Sequence, residues 1–196
     1  MPGWQSFHEQ YGDRVQVISI ACDVQGPSAS TPWLDEAKVT FTRLTDQHNA
    51  IGKAYALKYV PVAIVLDAQG RLVRPVGLVN IGDDDFRAEL EAWAGTGEIP
   101  VAWQQLDDAT TRALTPAEAE ADARLQLALV LLSRDKQEEA VEQLRQAVVC
   151  DPDNWLIRKQ MWAIEAPSAF YDGPVDYDWQ NQRKQQEQEG LLASST

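Results

Sequence analysis

Cysteine and histidine are scarce: the 196 residues hold two of each, Cys22 and Cys150, His8 and His48. Two cysteines cannot build a disulfide framework, and they exclude any zinc site made of several thiolates within one chain. The two histidines do not make up the shortfall, so neither a metal nor another cofactor is expected. Long apolar runs are also lacking. The longest, residues 60–66, is far shorter than the roughly 20 residues a membrane-spanning helix needs. Positive charge is in short supply: the net charge is -13 and the isoelectric point is near 4.5. Such a field repels phosphate backbones and anionic headgroups, which argues against nucleic acid and membrane surfaces as partners. The opening Met1, Pro2, Gly3, Trp4 lacks the basic and apolar regions of a signal peptide, and a cytoplasmic chain is expected.

What is present is the composition of an ordinary folded protein, with 44% hydrophobic and 24% charged residues. Trp4, Phe7 and Tyr11 are spaced to share one face of a helix that Gly12 ends. Residues 15–22 are β-branched with little alternation, as in a parallel strand buried on both faces. Thr31 and Pro32 can start a short helix reaching Lys38, and Val39, Phe41 and Leu44 a short edge strand; Asp46 can cap the next helix. Residues 62–66 and 71–77, joined by the turn Asp67, Ala68, Gln69, Gly70, predict an antiparallel hairpin whose second strand, holding Pro75, lies at an edge. Asp83 or Asp84 caps a helix with Phe86, Leu90 and Trp93 inward.

This order of elements, and above all the run Tyr55-Ala56-Leu57-Lys58-Tyr59-Val60-Pro61-Val62-Ala63-Ile64-Val65-Leu66-Asp67-Ala68-Gln69-Gly70-Arg71-Leu72-Val73, resembles the thioredoxin-like proteins of the redoxin (ResA-like) branch. The resemblance covers about residues 1–95. It implies an α/β fold with a thioredoxin-like sheet, a thiol-disulfide oxidoreductase function, protein thiols or disulfides as partners, and a cis bond between Val60 and Pro61 with both residues contacting substrate. The bland alternative is a trans proline that merely begins a strand. The family's Trp-Cys-x-x-Cys motif and the strand before it are missing, so the resemblance places the redox pair upstream of Met1 and leaves the sheet without its central strand. No catalytic residue remains within the chain. Cys22, at the end of a strand, is a candidate reactive thiol or, more simply, a small buried hydrophobe.

Beyond a linker at 96–115, Thr115, Pro116 and Glu118 form a helix start, and residues 116–165 read as a helical segment. Within it, residues 121–154 fit the tetratricopeptide template of about 34 residues at Leu127, Ala128, Leu131, Ala140, Leu144, Ala147 and Pro152, with Arg124 where tryptophan is usual. A generic helical hairpin is the competing description. A lone repeat cannot bury its own face, so it must dock on the first domain, on the following helix, or on a protein partner. Residues 166–196 read as an aromatic, then polar, tail whose last dozen residues are disordered. Three functions compete: the oxidoreductase family function, a non-catalytic interaction module built on a thioredoxin-like remnant and a helical repeat, and a peroxide-reducing redoxin using Cys22. The last lacks any basic neighbour in sequence to activate the thiol.

Overall fold

The helix caps expected at Thr115 and Asp83 are in place in the computed structural model, which describes residues 1–104 and 113–193. Thr115 and Glu118 exchange side-chain and backbone hydrogen bonds in a complete capping box at the start of helix α5 (Pro116–Leu132). Asp83 accepts from the Phe86 amide at 2.9 Å and starts α4 (Asp84–Thr96). Asp46 accepts from the amides of Ala50 and Ile51 at 2.7 and 2.8 Å and so serves α3 (Ala50–Ala54), although Asn49 holds the residue position before that helix. Asn49 adopts a left-handed backbone, φ 56°, and a β-carbon on Gly52 would stand 1.8 Å from its side-chain oxygen. Any side chain at Gly52 would have to displace that of Asn49.

The expected thioredoxin-like sheet is not formed. Strand β1 (Ile18–Ala21) pairs in parallel with β2 (Thr42–Thr45), and β3 (Val62–Ala63) pairs antiparallel with β4 (Gly77–Leu78), as two separate two-stranded sheets among the described residues. Helix accounts for 55% and strand for 8%, so the chain is mostly helical rather than an α/β sheet protein. Local causes are visible. The run at 15–22 is not buried on both faces, since Ile18 is 45% exposed, and so is Leu44 of β2, at 49%. In the hairpin, Gly70 (φ 77°) makes the turn and Leu66 bridges Leu72. Between that bridge and β3–β4, the stretch from Ala63 to Leu66 faces the longer stretch from Leu72 to Gly77, and the surplus falls around Pro75, which has no N–H to offer a ladder. Helix α2 (Pro27–Glu36) begins ahead of the expected Thr31 and contains Pro32; the Thr31 hydroxyl donates back to the Pro27 carbonyl at 2.8 Å.

Two apolar clusters hold the chain. In the first, Phe7 of α1 (Pro2–Tyr11) and Phe86, Leu90 and Ala94 of α4 pack with Val65, Val73 and Trp103. Trp103 is 2% exposed and its indole donates to Glu89 at 2.8 Å, so the expected linker at 96–115 begins inside a core; residues 105–112 of it lie outside the described residues. The second cluster joins α5, α6 (Gln137–Cys150) and α7 (Trp155–Glu165). Ala128 and Ala140 are wholly buried on the facing sides of α5 and α6, with Leu144 and Ala147, whereas Leu127 is exposed.

The tail is structured. After α8 (Ser168–Tyr171), α9 (Tyr177–Ala193) runs through most of the stretch expected to be disordered; residues 194–196 lie outside the described residues. Its glutamines, lysine and glutamates are good helix formers, and tertiary anchors fix it. Trp179 stands edge-on to Trp162 (5.8 Å, 89°) and to Phe170 (6.0 Å), while Glu187 accepts from the Trp162 indole and pairs with Arg158 at 3.1 Å. The aromatics after the hairpin therefore seal it.

Replacing Leu144 by Ala should cost about 2–5 kcal/mol of unfolding free energy in urea titrations, by lost burial and a residual cavity. Ala128→Leu, which overfills the same layer, should cost about 1–3 kcal/mol.

Candidate functional site

The segment after β1 is drawn into the helical half. Val24, 6% exposed, belongs to the helical cluster, and polar contacts flank it. Gln160 of α7 accepts from the Val24 amide at 2.9 Å and donates to the Cys22 carbonyl at 2.7 Å. Gln25 donates to the Ala163 carbonyl and to the Tyr171 hydroxyl, which in turn donates to Asp23 at 2.9 Å. Burial pushes the Asp23 carboxyl up, against the lowering effect of the Gln25 amide and the Tyr171 hydroxyl. Tyr171 is itself pushed well above the usual phenol range, chiefly by burial and then by the Asp23 charge.

A second bridge centres on Lys58. Its ammonium lies 2.8 Å from both Glu118 and Asp151, and its carbonyl accepts from the Leu156 amide at 3.0 Å. Burial opposes the charge, but the hydrogen bonds that Lys58 donates to Asp151 and Glu118 outweigh it and the pKa is raised.

Cys22 sits within the first of these contacts. Burial, then the charges of Asp46 and Asp23, push its thiol from 9.0 up to about 11. That is the reverse of an activated nucleophile, which requires nearby positive charge. Cys150 packs against the helical cluster as a partly buried side chain. His8 stacks edge-on to Phe41, and His48 offers its backbone carbonyl to Gln126. Among the described residues no group of three or more His, Cys, Asp or Glu is placed to hold a metal, and no helix is long and apolar enough to cross a membrane.

The Val60–Pro61 bond is cis, as the resemblance implies. Tyr59, Val60 and Pro61 are exposed, and among the described residues the backbones of Tyr59 and Val60 make no hydrogen bond. Val60 and Tyr59 form one side of a cleft of about 180 Å³, closed by Trp155, Leu156 and Lys159 of α7 and by Tyr177 and Gln180 of α9. Pro61 and Cys22 do not line it. Gln160 does, and so connects the cleft wall to the backbone of Cys22. Val60 is thus the one sequence-predicted site residue placed in a cavity. Lys159, Gln160 and Gln180 have no sequence signal of their own, being ordinary polar residues of helices; only Trp155 and Tyr177 stood out as aromatics.

No family model, no curated protein and no solved structure matches this chain.

The raised thiol predicts that Cys22 reacts with Ellman's reagent at pH 8 about a hundredfold more slowly than it does in urea, following the difference in thiolate population. Linkage gives a second outcome. A thiol pKa raised on folding contributes stability fully present below pH 9.0, and that stability is lost as pH rises from 9.0 to about 11. The urea midpoint should fall across that window, and fall less in Cys22→Ser.

Proposed function

We propose that this chain is a non-catalytic docking module for an extended protein segment. The observation that carries this reading is the cleft beside Tyr59 and Val60, where unbonded backbone and exposed apolar side chains lie together. An extended peptide recognises such a place by main-chain hydrogen bonds, with adjacent pockets taking alternate side chains. The thiol chemistry supports the same reading: the chain holds no Cys-x-x-Cys, and Cys22 is held protonated.

A second reading is favoured by the run at 55–73 and the cis bond within it: kinship with the thiol-disulfide oxidoreductases, with the redox pair outside these residues and Val60 and Pro61 kept as the substrate-docking part. Disulfide exchange needs an attacking thiolate and a resolving partner. Cys22 alone offers neither at neutral pH.

Two measurements test this. Insulin-disulfide reduction with dithiothreitol should show no rate above background; turnover that Cys22→Ser abolishes would overturn the non-catalytic assignment. Random peptides displayed on phage should yield binders to the intact chain, and Val60→Asp should weaken them at least about tenfold. Val60 is exposed, so the variant should fold as the parent does, checked by circular dichroism.

A further inference from the structure

The cleft has an uneven chemistry. The chain contains 30 aspartates and glutamates, yet none of the described ones lines it. Its one charged lining residue is Lys159, partly buried and without an ion pair or hydrogen bond among the described residues. Every other cation at this end of the molecule is engaged: Lys58 with Glu118 and Asp151, Arg158 with Glu187, Arg183 with Glu165, and Lys184 over the Trp155 ring at 4.8 Å.

A second donor points the same way. Gln180 is 6% exposed, and its buried amide nitrogen has no acceptor among the described residues. Buried donors are nearly always paired, so one left without an acceptor, on a residue that lines the same cleft as the unpaired Lys159, marks a place for an acceptor from outside. Gln160 does not supply it: its oxygen accepts from the Val24 amide and its nitrogen donates to the Cys22 carbonyl, both in the segment after β1.

We propose that the cleft receives an aspartate or glutamate side chain of an extended peptide, with Lys159 pairing with the carboxylate and Gln180 completing its hydrogen bonding. The proposal rests on the docking reading above and names the ligand class for it. The walls formed by Val60, Trp155, Leu156 and Tyr177 take the apolar neighbours of that acidic residue. A peptide carrying one carboxylate suits the site better than a polyanion, which the net charge of -13 would repel. Burial lowers the Lys159 pKa, and an arriving carboxylate would restore it.

The test uses the full chain. Random twelve-residue peptides displayed with no free C-terminus are selected against it, and the sequences recovered are synthesised as fluorescein-labelled, C-amidated probes. Enrichment of Asp or Glu at one position is expected, with anisotropy showing about a tenfold loss for Lys159→Gln and for the peptide's acid-to-amide change. The two losses should not add when combined, and Lys159→Arg should retain part of the binding. Should Lys159→Gln misfold by circular dichroism, the peptide-side change still decides. Selected peptides that lack an acidic residue, or that bind Lys159→Gln as tightly as the parent, would overturn this inference. If they also lose affinity with Val60→Asp, the docking reading stands. If no peptide is enriched at all, the docking reading falls as well.

Discussion

Both arms of one carboxamide hold the molecule together. Gln160 receives the Val24 amide and donates to the Cys22 carbonyl, so the segment leaving β1 is hydrogen-bonded to α7 much as to a neighbouring strand. Each such bond contributes only about 0.5–1.5 kcal/mol net, but losing one partner would leave backbone groups unsatisfied next to a core. Val24 stays among helical side chains because its own backbone is paired there. The same α7 presents Trp155, Leu156 and Lys159 to the outer cleft, so a single helix clamps the strand end on one side and builds the site on the other.

Charge is distributed to match. Most acidic residues stand in solvent or at helix starts, as Asp83 and Glu118 do, where the helix dipole and backbone donors favour them. Where the two halves meet, carboxylates face a cation directly: Glu118 and Asp151 around Lys58, Asp122 against Lys53 at 2.6 Å. The cleft departs from this pattern by having a cation without its counter-charge. An acidic surface and a positive recess are compatible because the recess is walled by aromatic and aliphatic groups rather than by the bulk of the surface.

Local chemistry was the legible part of the sequence. Thr115 and Glu118, Asp83 and the Asp67–Gly70 turn act through neighbours within a few positions, and each stands as its type suggests. The sheet was not legible, because hydrophobic content does not state pairing. Residues 15–22 and 62–66 have the side chains of central strands, yet Ile18 and Leu66 are exposed and pairing stops after a few residues. The tail misled for the opposite reason. Its polarity suggested disorder, while Trp179 and Glu187 supply two anchors that hold a helix in place. Of the site, Val60 was readable from its surroundings in the chain; Lys159, Gln160 and Gln180 acquire meaning only through contacts across more than a hundred residues or between separate helices.

That distance has a consequence for the order in which the protein is made. Val24 and Cys22 wait for a partner 136 and 138 residues further on, so the ribosome must release α7 before the β1 segment can close. Until then an emerging chain leaves Val24 uncovered and the backbone of Cys22 and Val24 without its partner, the kind of surface that chaperones shield. Helix α7 therefore completes the first half as well as its own, and the segment after β1 gains its partner only once residue 160 has been made.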